Sequence, residues 1–283
     1  MPRPINGRDY SRLLFPGNPT CRQLHRLETC GNADGKMTDM DERFDNSAQI
    51  GNDALIPSSA ISSTAMAVLA ASMARGSSRI IHAAFDPAVR ALVNGLRQLG
   101  VATLVDEPAG RIDVTGQGGH WGHGDIELDC EHQSLTTHFL LAASVLGRSC
   151  YRLMNPATET ASLSSLIDAL TDLGAQIHID RDARDPVIQV GPAPFRGGRT
   201  AVRDIQSSIA TASLLLVVPC AAGDVFLEIP AWPARPPEVS IALQILEDCD
   251  IAVIDDRGTR MIVPAPQSYA ACEHDISTRM IVS

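Results

Sequence analysis

His120, His123 and Asp125, inside the segment GGHWGHGD, bring two imidazoles and a carboxylate close together, the nearest approach in this chain to a local metal-binding pattern. A structural zinc site needs four convergent ligands. The surrounding glycines read more simply as a loop between two strands. His132 and His138 form a second pair. Imidazole titrates near neutral pH and can carry a proton, but both histidines precede an apolar run and read as helix-entry residues. Ser62, Ser63 and Thr64, and again Ser207 and Ser208, also stand beside apolar runs, where a side-chain oxygen can cap a free backbone N–H. The seven cysteines form an odd, scattered set with no C-x-x-C pair, so neither a disulfide framework nor a zinc knuckle is indicated. Cys130 and Cys249 read as buried small apolar groups.

The positioning elements must come from a packed core. An apolar fraction of 45% over 283 residues suits one large domain or two ordinary ones. The longest apolar candidate, Ile209 to Cys220, is too short to cross a bilayer. Arg3, Arg8 and Arg12 are not followed by the apolar core of a secretory signal, and a cytoplasmic location is expected. The formal charge of −10 argues against nucleic acid and disfavours small polyanions unless arginines are gathered locally. Lys36 is the only lysine.

Residues 1–48 are polar and proline-bearing, with no sustained period, and are expected to be disordered or to precede a true start at Met37 or Met40. From residue 55 onward three features recur with a period of roughly 75 residues. An apolar helical stretch runs into a short strand at 64–80, 136–153 and 209–229, with Gly76, Gly147 and Gly223 at expected helix C-caps. An amphipathic helix and strand follow at 89–105, 163–179 and 239–255. Leu92, Leu96 and Leu99, then Leu166, Leu170 and Leu173, then Leu243 and Leu246 mark one buried face on each helix. Closing strands lie at 111–116, 186–194 and 260–266. The expected fold is α+β: three βαβαββ repeats packed around shared helices, filling 49–270, with 271–283 as a C-terminal tail.

The segment IPSSAISSTAMAVLAASMARGSSRI (56–80) resembles the first active-site helix of the EPSP synthase family, which typically reads VPGSKSxSxRxLxxAALAxGxSxI. GDIELDC, LIDALTDLGA and ARPPEVSIALQILEDCDI are similar to that family as well. The resemblance covers about three-quarters of the chain. It implies an enolpyruvyl transferase domain of the inside-out α/β barrel type, which the family uses twice. It also implies transfer of the enolpyruvyl group of phosphoenolpyruvate to shikimate 3-phosphate. Binding two phosphates and two carboxylates together needs several arginines and lysines.

Those charges are missing at the matching positions. The family's lysine falls on Ala60 or Ile61 and its first arginine on Ala65 or Met66. The motif GNxGTTxRF appears as Glu131 to Phe139, with Glu131 in the glycine turn, Thr136 kept, and His138 for arginine. The RxRPI position, 157–163, holds no base. In SxSSQF, Ser207 and Ser208 remain and Ile209 replaces glutamine. S-x-P-Y appears as Arg235, Pro236, Pro237, Glu238. The sequence ends at Ser283, and the family's second domain is expected to be missing. The resemblance leaves Ser62, Thr64, Thr136, His138, Ser207 and Ser208 as substrate-binding remnants, with no catalytic residue, metal or cofactor. The expectation is an inactive single-domain relative, binding shikimate 3-phosphate or phosphoenolpyruvate weakly if at all. The alternatives are a half-enzyme completed by a partner chain or homodimer, and a protein-interaction module using the old interdomain face.

Overall fold

The computed structural model describes residues 56–279 apart from 122–123, 159–160, 181–184 and 257. The segment 1–48 and His123 therefore lie outside the described residues. The first repeat runs α1 (Ser58–Met73), β1 (Ala74–Ile81), α2 (Pro87–Gln98), β2 (Ala102–Asp106) and β3 (Arg111–Gln117). The second runs β4 (Ile126–Asp129), α3 (Ser134–Ser144), β5 (Tyr151–Met154), α4 (Ala161–Asp172), β6 (Gln176–Asp180) and β7 (Val187–Gly191). The third is β8 (Gly198–Ala201), α5 (Ser208–Val217), β9 (Val225–Glu228), α6 (Pro237–Asp248), β10 (Ile254–Asp256) and β11 (Arg260–Val263).

Each repeat builds its own small sheet. In the second, β4 pairs parallel with β5, and β7 lies antiparallel between β5 and β6. The third repeats this order with β8, β9, β11 and β10. In the first, β1, β3 and β2 take the same places, but the parallel partner of β1 comes from the far end of the chain. Two short strands fill that slot, β12 (Tyr269–Ala270) and β13 (Glu273–Asp275), followed by α7 (Ile276–Arg279). The stretch expected as a tail from 271 thus contributes a strand and a helical turn, because a sheet edge with unpaired N–H and C=O groups is available beside β1.

The helices form a ring in which each touches the next, α1 through α6 and back to α1. α1, α3 and α5 also touch one another and are buried on nearly all sides. Their sequences explain this: small and apolar residues all round give no polar face to present to water. α2, α4 and α6 are amphipathic and cover them, with Leu92, Leu96, Leu99, Leu166, Leu170, Leu173 and Leu246 buried and Leu243 partly buried. Each buried leucine contributes roughly 1.5–3 kcal/mol.

The glycines expected as left-handed caps do another job. The α1, α3 and α5 C-caps are Ala74, Val145 and Val218, all at negative φ. Gly147 is needed because a Cβ there would run into the Tyr151 ring. Among the described residues, no helix is long and apolar enough to cross a membrane.

Candidate functional site

The three buried helices run in parallel. Their C-terminal ends gather near Gly116 to Trp121: a Cβ on Gly116 would meet the Ala71 and Ala74 carbonyls, and one on Gly119 would lie 3.7 Å from both Cys220 Sγ and Leu146 Cδ1. Trp121 Nε1 also donates to Ala143 O at 2.7 Å. The N-termini of α1, α3 and α5 therefore share the opposite end. Three helix N-termini present free N–H groups and partial positive charge there, an arrangement suited to anions.

At the first entry, the N-cap is Pro57 and α1 starts at Ser58, so Ser62, Ser63 and Thr64 lie inside the helix and cap nothing. Ser62 is half-buried, and Ser63 Oγ is buried with no hydrogen-bond partner. Thr64 is fully buried; its hydroxyl donates to Ala60 O at 2.8 Å and accepts from Ala84 N at 3.0 Å. Thr137 repeats this clasp in the second repeat, donating to Gln133 O at 2.9 Å and accepting from Ala157 N at 3.1 Å. Each threonine ties an inner helix to the segment leading into the next outer helix. Thr64→Val should cost about 1–3 kcal/mol in urea unfolding, since it keeps the shape but strips the buried Ala84 N–H of its acceptor.

Of the positions to which the resemblance assigns a lysine (Ala60 or Ile61) and an arginine (Ala65 or Met66), Ile61 is half-buried and the other three are buried in the core. Thr136 is likewise buried, with its hydroxyl donating to Ala88 O at 2.8 Å.

The β4–α3 turn keeps a left-handed backbone without glycine: Glu131 has φ 48° and His132 φ 56°. Asp129 Oδ1 accepts from Glu131 N at 2.9 Å and from Asn155 Nδ2 at 3.0 Å, and His132 N donates to Asn155 O at 2.8 Å. These bonds hold two side-chain-bearing residues where a Cβ is disfavoured. Glu131→Gly should therefore stabilise the protein, by up to about 1 kcal/mol in denaturant unfolding.

His138 is 1% exposed. Its Nδ1 lies 2.7 Å from Ser134 O and its Nε2 3.1 Å from Ser162 Oγ. A carbonyl only accepts, so Nδ1 carries the proton and Nε2 accepts from Ser162. Burial is the larger influence and pushes the imidazole pKa below its ordinary value, against the Ser134 carbonyl. The proton-carrying role that its residue type suggests is thus opposed by its surroundings. A histidine whose folded pKa lies below its unfolded one adds stability above about pH 6.5, and that stability is lost as the pH falls. His138→Asn should flatten the pH dependence of unfolding free energy below about pH 6.5, by at most about 1.4 kcal/mol per pH unit.

At the third entry Ser207 occupies the N-cap of α5, but its side chain makes no capping bond. It is fully buried, with Oγ donating to Ser165 Oγ at 3.3 Å, while its carbonyl accepts from Thr211. Ser208 is half-buried at the start of the helix. Arg203, exposed in the loop leading to α5, is a cation that motif matching passes over; its signal is a charge shortly before the serine pair. Arg235 pairs with Asp255. Elsewhere, His120 Nδ1 lies 2.8 Å from Gly118 O, in keeping with a loop residue.

Three repeats, each with one inner and one outer helix over a small mixed sheet, define an enolpyruvyl-transferase-type domain with its inner helix N-termini at one end. The chain belongs to the EPSP synthase family: the family model described as EPSP synthase (3-phosphoshikimate 1-carboxyvinyltransferase) matches residues 47–281. The 3-phosphoshikimate 1-carboxyvinyltransferase of Sulfurovum sp. (strain NBC37-1) is 27% identical over 209 residues, covering 73% of this chain and 49% of that relative. That of Vibrio atlanticus (strain LGP32) is 26% identical over 207 residues, covering 72% and 49%. Among solved structures, EPSP synthase from Acinetobacter baumannii superposes with a TM-score of 0.63 at 14% identity, covering 76% of this chain and 47% of that one. The enolpyruvyl transferase NikO from Streptomyces tendae gives 0.57 at 18% identity, covering 76% and 49%. The chain spans about half the length of the curated relatives it matches.

Proposed function

We propose that this chain is a non-catalytic member of the shikimate-pathway family, keeping the apolar scaffold and having lost the anion-binding set. The observation that carries the reading is His138: where the family places an arginine, a fully buried imidazole is bonded to Ser134 and Ser162 and biased toward its neutral form. A neutral imidazole offers neither the charge nor the fork that a desolvated phosphate or carboxylate requires. Ala60 or Ile61 and Ala65 or Met66 extend the same loss to the first helix. Thr64 and Thr136 serve the packing through their backbone bonds, which leaves Ser62, Ser207 and Ser208 as weak polar remnants at the entries. The reading is tested by incubating the purified chain with phosphoenolpyruvate and shikimate 3-phosphate and following phosphate release. No release above the enzyme-free rate is expected; sustained turnover would overturn it.

One observation favours a second reading, in which the entry face receives a protein partner. Ile56 and Ile205, 44% and 53% exposed, lie just ahead of α1 and α5 at the same end of the molecule. An exposed isoleucine beside each of two helix entries would suit a surface covered by a partner, if the two form one contiguous apolar patch. A stable complex that protects both residues from solvent labelling would favour it, and unchanged labelling in every complex would count against it.

A further inference from the structure

Away from the helix entries, three metal-binding side chains converge from separate parts of the chain. Cys249 caps the C-terminus of α6, Cys272 lies between β12 and β13, and His274 is the middle residue of β13. The two Sγ atoms are 3.6 Å apart; His274 Nε2 is 3.4 Å from Cys272 Sγ and 3.8 Å from Cys249 Sγ. Cys249 and His274 are fully buried and Cys272 is partly exposed. On the other side of the imidazole, Asp248 Oδ2 lies 4.0 Å from Nδ1.

These separations match a tetrahedral ion. With zinc–sulfur bonds of about 2.3 Å and zinc–nitrogen bonds of about 2.0–2.1 Å, tetrahedral angles place two sulfurs about 3.8 Å apart and sulfur and nitrogen about 3.5 Å apart. The three donor atoms stand close to those distances, all within 4.8 Å of one another; Cys272 Sγ also lies 3.9 Å from Nδ1, so the ring turns about its Cβ–Cγ bond to aim Nε2 at the ion. A disulfide between the cysteines would bring the sulfurs to about 2.05 Å, far closer than the 3.6 Å found here. A motif scan misses the set because Cys249 lies far upstream of Cys272-x-His274, a spacing that belongs to no familiar knuckle.

We propose that Cys249, Cys272 and His274 hold one soft divalent ion of the zinc class through two thiolates and Nε2, with the fourth position facing solvent beside Cys272. Binding releases two thiol protons as two metal–sulfur bonds form. Ion and thiolates then sum to zero charge, which suits a largely buried place. Asp248, 4.0 Å from Nδ1, is the positioning residue: closing to hydrogen-bond distance when the ring turns, it would accept the Nδ1 proton's bond and leave Nε2 free to bind. α6 belongs to the third repeat, whereas β13 completes the sheet of the first, so the ion clasps the seam where the ring of repeats closes. This inference is independent of whether the helix entries bind anions, and it departs from the sequence-based expectation of a chain without a metal.

The full chain, reduced with a non-thiol reductant and stripped by chelator, is titrated anaerobically with cobalt(II). Thiolate-to-cobalt charge-transfer absorption should saturate at one ion per chain and be abolished by added zinc. Cys272→Ser should weaken binding about 100-fold or more, and Asp248→Asn about 10- to 100-fold. Cys150→Ser, an exposed cysteine outside the cluster, should bind as the parent does. Metal should also slow hydrogen exchange across residues 269–279. Absence of the charge-transfer band with all thiols reduced, or unchanged affinity in a folded Cys272→Ser protein, would overturn the proposal.

Discussion

His138→Arg destabilises the protein by about 3–5 kcal/mol instead of restoring an anion site. The position is 1% exposed, and the two groups bonded to the imidazole are a backbone carbonyl and a serine hydroxyl. A guanidinium placed there exchanges full hydration for partners that carry no opposite charge. It also needs more room than an imidazole, in a wall shared by α3 and α4. At the other positions where the resemblance puts charged groups, Ala60, Ala65 and Met66 are buried and Ile61 is half-buried, so no opposite charge is supplied from there. Urea unfolding monitored by far-UV circular dichroism should show a lower midpoint with an unchanged slope. A variant as stable as the parent would mean that the pocket around residue 138 is more open and more polar than described.

Gly116→Ala costs about 3 kcal/mol, near the upper end of overpacking effects. Gly116 pairs with Gly76 across β1 and β3, and a Cβ on it would collide with the carbonyl oxygens of Ala71 and Ala74 at the end of α1. Backbone cannot swing aside as a side-chain terminus can. Relief would require α1 to move away from its own sheet, loosening its contacts with α3, α5 and α6 together. Gly223→Ala makes a fair comparison, because its Cβ would meet Arg196 O at 3.3 Å, a much milder approach. Thermal unfolding should place Gly223→Ala close to the parent and Gly116→Ala far below it.

Much of the scaffold is legible in the sequence because burial writes a period. The leucine triplets on α2 and α4 mark their inward faces, and the mostly small and apolar character of α1, α3 and α5 marks helices buried on nearly all sides. Less legible are features decided by residues distant in sequence. No local pattern reports that residues 269–275 pair with β1, since the sheet edge they fill is made almost two hundred residues earlier. The convergence of Cys249, Cys272 and His274 is hidden for the same reason.

Hydroxyl groups are ambiguous in a different way. Thr64 and Thr136 match a substrate-binding pattern by type, yet their oxygens also bond to the Ala84 N–H and the Ala88 carbonyl, which only the fold brings near. His138 is ambiguous until burial is known. In water it would titrate near neutrality, whereas between Ser134 and Ser162 it is biased toward the neutral form. Glu131 shows the opposite case: the loss of glycine is plain in the sequence, but the turn nonetheless keeps its left-handed conformation, held by Asp129 and Asn155.

The central claim is that a family scaffold persists here without the charges that bind anions. Isothermal titration of the purified chain with shikimate 3-phosphate, alone and with phosphoenolpyruvate, tests it most directly. No saturable heat is expected at ligand concentrations up to about 1 mM, corresponding to binding weaker than about −4 kcal/mol. A saturating isotherm with a micromolar dissociation constant and one site per chain would contradict it.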